Sequence, residues 1–145
     1  MTAQLIAMPA TMATKIAVVI RGDLPVWQKL NMTAFLASGV AASAPDAIGD
    51  DYADADGTRY SPMFGQPVMV FAADAERLAR TLDRALSRGV VPTVFTTDLF
   101  MTGTDADNRA AVATVPREQL DVAGVAIRAD RKTVDKITAG LRLHP

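Results

Sequence analysis

The sequence predicts an α/β fold, with helices packed on both faces of a largely parallel or mixed sheet. Three observations carry this reading. Ile16–Ile20 (IAVVI) and Val68–Ala72 (VMVFA) are short apolar runs without polar alternation, as expected of strands covered on both faces. Stretches with apolar residues at helical spacing follow each run, and Gly, Pro and Asp punctuate the junctions. The resulting order is strand, helix, strand, helix, strand, strand, helix, which implies right-handed crossovers. A chain of 145 residues fits one such domain, expected over residues 15–145 behind an N-terminal arm at residues 1–14.

In chain order, Met1–Thr14 has weak pattern and contains Pro9, hence the reading as an arm or irregular edge segment. Ile16–Ile20 is the first strand, closed by Arg21-Gly22-Asp23. Asp23 is the expected N-cap of a helix from Pro25 to Ala42, with Pro25 in its first turn. Leu30, Ala34, Ala37 and Ala41 recur along it at helical spacing, and Pro45 ends it. Ala44–Met63 is read as a solvated acidic loop. Its resemblance to a calcium loop is loose: with Asp54, Asp56 and Gly57 at the third, fifth and sixth positions, Tyr52 and Met63 fall where carboxylates are needed. Val68–Ala72 is the second strand. Asp74 caps a helix running to Arg88, with Leu78, Leu82, Ala85 and Leu86 as its apolar stripe and Gly89 as its stop. Thr93–Thr96 is the third strand, Asp105–Val115 holds a short helix, and Val122–Arg128 is a fourth strand interrupted by Gly124. Asp130 caps a last helix over Arg131–Ala139, Gly140 ends it, and Leu141–Leu143 closes the chain.

Composition narrows the chemistry. With no cysteine, disulfides, thiolate metal sites and a cysteine nucleophile are excluded. The single histidine, His144, argues against a histidine-rich zinc site and a serine–histidine triad, and a surface tail position is expected for it. A net charge of −1 requires no broad basic field for nucleic acid. Met1–Thr14 carries no basic residue and no apolar stretch is long enough to cross a bilayer, so the expected location is the cytoplasm. The scattered Met residues read as core filler, and the lone Trp27 as packing on its helix's neighbour. Neither a phosphate-binding lysine loop nor a dinucleotide glycine fingerprint is present.

In open α/β sheets, ligands collect beyond the carboxyl ends of the strands. Arg21, Gly22, Asp23, Lys29 and Asn31 fall there after the first strand. Thr96, Thr97, Asp98, Thr102, Thr104, Asp105, Asp107, Asn108 and Arg109 follow the third. Arg21 and Lys29 flanking a helix N-terminus suit an anion, Asp98 would orient a lysine or water, and Thr102 would hold a carbonyl or phosphate. The competing reading is that Arg21 pairs with Asp23 or Asp98 and ties strand ends together. On this basis Lys29, Asp98 and Thr102 are the candidate catalytic residues. Arg21, Asn31, Thr104, Asp105 and Arg109 are the candidate ligand-binding residues, with no metal and no cofactor.

Three segments resemble a known family. KIAVVIRGDLPVWQKLN (Lys15–Asn31) looks like the first strand and turn of type II peptidyl-tRNA hydrolases, with Arg21, Asp23 and Leu24 matching. TTDLFMTG (Thr96–Gly103) places Asp98 and Thr102 at that family's aspartate and threonine, and the ending VDKITAGLRLHP (Val134–Pro145) resembles its closing helix and last strand. Lys29 is displaced by one position, and Ala34 and Ala37 stand near the family's glutamine and histidine. TDLFMTGTDADNRAAV (Thr97–Val112) and VDKITAGLRLHP (Val134–Pro145) are more similar to uncharacterised bacterial proteins grouped as domain of unknown function family 2000. That resemblance covers Lys15–Pro145. It implies a three-layer, peptidyl-tRNA hydrolase II-like sandwich whose mixed four-stranded sheet is flanked by helices, often dimeric, with no assigned activity.

Three functions follow as expectations. The first is a small-ligand-binding or regulatory domain on a hydrolase-like scaffold. The second is hydrolysis of an ester, amide or nucleotide-linked substrate by Lys29, Asp98, Thr102 and Asp105. The third is retained peptidyl-tRNA hydrolysis, which the missing histidine argues against. The expected partners are an anionic small molecule and a second copy of the chain, with neither nucleic acid nor membrane.

Overall fold

The structure, a computed structural model, describes residues 10–145. Most of the expected N-terminal arm, residues 1–9, lies outside the described residues. Ala10–Ala13 forms one helical turn, α1, leading into β1 (Thr14–Arg21). All five residues of the Ile16–Ile20 run are buried, with alternate side chains entering opposite faces of the sheet. Helix α2 (Val26–Ser43) follows, and Pro45 opens a short 3-10 turn just beyond its end.

The acidic segment is not all loop. Tyr52–Ala53 (β2) and Arg59–Tyr60 (β3) pair as a small antiparallel hairpin. Gly57 turns the hairpin at φ +83°. Asp54 organises the turn by accepting from the N–H groups of Asp56 and Thr58, each at 2.9 Å, and from the Tyr60 hydroxyl at 2.7 Å.

Strand β4 (Val68–Ala73) runs parallel to β1. Helix α3 (Ala75–Ser87) then carries the chain to β5 (Thr93–Thr96). A 3-10 segment at Thr97–Met101 and helix α4 (Asp105–Ala113) lead to β6 (Val122–Asp130), which pairs antiparallel with both β5 and β1. Helix α5 (Arg131–Ile137) precedes β7 (Arg142–Leu143), antiparallel to β4. The sheet is therefore mixed and five-stranded, ordered β5–β6–β1–β4–β7, rather than four-stranded. The added strand is the closing segment, whose two residues are too few to display a period of two.

Two cores sit on the two faces of the sheet. Leu78, Leu82 and Ala85 of α3 and Val134 and Ile137 of α5 pack on Val19, Phe71 and Val125. Met32, Leu36 and Val40 of α2 pack on Ile16, Val18, Phe95 and Ala126. Each of the Val, Leu, Ile, Phe and Met side chains among these, withdrawn from water, contributes about 1.5–3 kcal/mol.

Glycine sets how closely α2 approaches. A Cβ on Gly124 would lie 2.7 Å from Leu36 Cδ1 and 2.8 Å from Met32 Sδ, and one on Gly39 would lie 2.4 Å from Thr93. Gly124 therefore does not interrupt β6. It leaves room for the helix beside a register shift, where Phe95 pairs with Gly124 but Thr96 with Val122.

The caps at Asp74 and Asp130 form as expected, accepting from Arg77 N at 2.8 Å and Thr133 N at 3.0 Å. Gly89 stops α3 at φ +73°, whereas α5 ends at Ile137, two residues before the expected Ala139, and Gly140 turns the chain beyond it at φ +84°. Asp23 does not cap α2. Pro25 takes the N-cap position, and both Asp23 carboxylate oxygens are held by Arg21.

Candidate functional site

Helix α2 has apolar residues on every side and one charge, Lys29. Its buried stripe accounts for Met32, Leu36 and Val40, leaving two flanks beside open ground. One flank faces the segment after β5, and the other faces the uncovered side of β4.

On the first flank, Trp27, Asn31 and Phe35 stand four residues apart and so line up along the helix. Opposite them, the 3-10 segment at Thr97–Met101 directs Leu99 and Phe100 toward α2. The aromatic rings form a chain. Trp27 meets Phe100 edge-on at 6.1 Å between centroids, Phe100 meets Phe95 at 4.8 Å, and Phe95 meets Phe35 at 6.0 Å.

These rings and Asn31, Thr102, Thr104, Asp105 and Asn108 enclose a cavity of about 370 Å³. A second cavity of about 440 Å³ adjoins it through Phe35, Phe95, Leu99, Asp105 and Asn108, and reaches Arg109. Together they make one groove between α2 and α4.

Within the groove, the Thr102 hydroxyl lies 3.0 Å from the Leu99 carbonyl and also contacts the Asn108 side chain. A hydroxyl carries one proton, so Thr102 shares it between two acceptors, the Leu99 carbonyl and the Asn108 side-chain oxygen. Thr104 caps α4 by accepting from Asp107 N at 3.1 Å. Asp105 and Arg109 are ion-paired one turn apart. The Asn31 amide has no partner among the described residues.

Five of the eight residues proposed from sequence thus line one groove: Asn31, Thr102, Thr104, Asp105 and Arg109. The other three do not join them. Arg21 lies at the end of β1. It donates to Asp23 from Nε and Nη2, each at 2.9 Å, and from Nη1 to Asp121 at 3.5 Å, tying β1 to the start of β6. The Arg21 hydrogen bond holds the Asp23 carboxyl below its ordinary pKa, and the same contact raises that of the guanidinium. Asp98 is exposed and has no partner among the described residues, so it does not pair with Arg21. Lys29 lies on the opposite flank of α2, where its ammonium donates to His144 Nε2 at 3.1 Å and to the Gly22 carbonyl at 3.4 Å. His144 is not a surface residue on a loose tail. Its backbone N–H donates to Val70 O at 2.9 Å, seating it beside β4.

Sequence reasoning missed the aromatic wall. Trp27 does pack on a neighbour, Phe100, but stays 61% exposed. The available signal was the four-residue spacing of Trp27, Asn31 and Phe35 in a chain that is only 6% aromatic.

The fold and this groove define an α/β domain with a mixed sheet, helices on both faces and an open cleft along one helix. The chain belongs to the family described as Protein of unknown function (DUF2000), whose model matches residues 14–145. It is also similar to the solved structure of a protein of unknown function from Agrobacterium tumefaciens strain C58. The two share 46% identity at a TM-score of 0.89, over 92% of this chain and 98% of that one. No curated protein matches the chain. Neither match extends to the peptidyl-tRNA hydrolases. Among the described residues, no helix is long and apolar enough to cross a membrane.

Proposed function

We propose that this protein is a binding domain for a small, flat, polar molecule held in the groove between α2 and α4. The observation that carries the reading is the concentration of rings. Four of the chain's eight aromatic side chains line this groove, interleaved with two carboxamides and a threonine hydroxyl. Rings offer faces and edges to a planar ligand. Asn31 presents both a donor and an acceptor, and Asn108, its oxygen engaged by Thr102, presents its amide donors, which suits a ring edge or amide carrying complementary groups. The one ion pair at the groove, Asp105 with Arg109, is internally neutral, so selection there rests on shape and hydrogen bonding rather than charge.

The same geometry weighs against hydrolysis. Lysine, aspartate and threonine would have to converge on one reacting atom. Here Lys29 and Thr102 lie on opposite flanks of α2, and Asp98 lines neither groove.

The test is chemical-shift mapping of labelled protein against nicotinamide, free nucleobases, indole and amides of the aromatic amino acids. Binding in the groove moves the Trp27 indole N–H and the side-chain amides of Asn31 and Asn108 together, and Asn108→Ala abolishes the response. Shifts that cluster elsewhere, or none across the panel, contradict the reading.

A further inference from the structure

The opposite flank of α2 carries a different kind of cavity. It measures about 630 Å³, larger than either part of the α2–α4 groove, and its walls are almost wholly apolar. Val26, Leu30, Ala34 and Ala37 form the helix side, with Ile20 and Val70 on the sheet. The cavity exists because α2 lies over β1, β6 and β5 and leaves β4 open on this face. Leu30 stays 68% exposed and Val26 67%. Apolar surface gathered in a concave site, rather than scattered singly, marks a place where an apolar group leaves water.

Lys29 is the one charged residue in the lining, and it has no carboxylate within ion-pairing distance among the described residues. Its ammonium carries three donors. Two are directed at His144 Nε2 and the Gly22 carbonyl, and the third is unclaimed. His144 adds no further donor toward the lysine. With Nε2 accepting from Lys29, its proton sits on Nδ1, which donates to the Pro145 backbone oxygen at 2.9 Å. Thr33 is also committed, donating to the Lys29 carbonyl at 2.7 Å.

We propose that this cavity is a second binding site, separate from the α2–α4 groove, for a straight-chain carboxylate. The carboxylate accepts from Lys29, and the hydrocarbon lies along Leu30, Ala34 and Ala37. Charge complementarity selects the head group. One unpaired ammonium matches one negative charge, whereas a phosphate dianion calls for more donors than this lining holds. Length selects the tail. Lys29 and Ala37 are eight residues apart, about 12 Å along the axis, which an extended chain of roughly nine carbons spans. Thr33, Ala34 and Ala37 put only small side chains on this flank, leaving room for a hydrocarbon to lie against Val70.

Calorimetric titration with decanoate and with 1-decanol, both below their aggregation limits, tests this, with sedimentation run alongside. The expected result is that decanoate binds the monomer at least tenfold more tightly than decanol. Lys29→Met removes that preference, Lys29→Arg keeps it, and Ala37→Trp blocks both ligands while circular dichroism stays native. Equal affinity for acid and alcohol, no binding of either, or binding untouched by Ala37→Trp overturns the proposal. So does a dimer that closes this face against a second copy of the chain.

Discussion

Arg21 shows how one local contact redirects a residue. An aspartate two positions before Pro25 is well placed to cap α2, yet both Asp23 oxygens are taken up by Arg21 in a bidentate pair of charge-assisted hydrogen bonds. The caps at Asp74 and Asp130 were legible in the sequence; Asp74 keeps its cap through one carboxylate oxygen while the other pairs with Arg77 at 3.3 Å. Asp23, Asp54 and Asp130 all have lowered pKa values, caused first by side-chain hydrogen bonds from Arg21, Tyr60 and Thr133 respectively. A carboxylate with a lowered folded-state pKa contributes stability in full above the ordinary aspartate value of about 4. That contribution is lost as pH falls through the lowered values. Melting temperatures measured from pH 6 to pH 2 should therefore drop on the acid side, less steeply in Asp130→Asn; an identical slope in the variant contradicts this. Thr96 makes the opposite case. Its hydroxyl is buried without a hydrogen-bond partner among the described residues. Thr96→Val removes an unpaired polar group at nearly constant shape, so urea unfolding should show equal or greater stability, by up to about 1–3 kcal/mol.

Helix α2 is the element on which the account turns, and it was the hardest to orient from sequence. A helix with one apolar stripe announces its buried face, but α2 is apolar on all sides, so periodicity gave its extent and not its rotation. That is why Lys29 and Asn31, both near the helix start, were expected at one site and lie on different flanks. The central strand was legible because its β-branched run is covered on both faces, as the burial of Ile16–Ile20 bears out. The hairpin of β2 and β3 was not, since Tyr52, Ala53, Arg59 and Tyr60 are all exposed and no alternation is imposed on them. Helix docking yields two predictions. Leu36→Ala should cost about 2–5 kcal/mol in chemical denaturation, because Leu36 is fully buried between α2 and the sheet. Gly39→Ala should cost about 1–3 kcal/mol by driving a methyl group into Thr93. Adding Thr93→Gly should recover part of that loss; strictly additive destabilisation would show that the close approach is not its source.

At the scale of the whole molecule, the sheet order places α2 between two cavities of unlike chemistry. One is ringed by aromatic and amide groups toward β5, the other is aliphatic with a lone cation toward β4. The polar segment after the third strand stood out in the sequence as a candidate because strand ends and turn formers coincide there, and it forms one wall of the α2–α4 groove. Its partner surface was not, because it comes from a helix more than sixty residues earlier in the chain, fixed in place only by tertiary packing. For the flat ligand proposed in the α2–α4 groove, Trp27, the only tryptophan, stands in the wall as a built-in reporter. The most direct measurement is a titration of Trp27 emission with the tightest ligand from the shift-mapping panel, for the native protein and for Asn108→Ala. Binding in the groove gives a saturable change in the native protein and at least tenfold weaker binding in the variant, the loss expected when a hydrogen bond to the ligand goes unmade. A Trp27 signal that does not respond, or a response that Asn108→Ala leaves unchanged, would contradict the proposal.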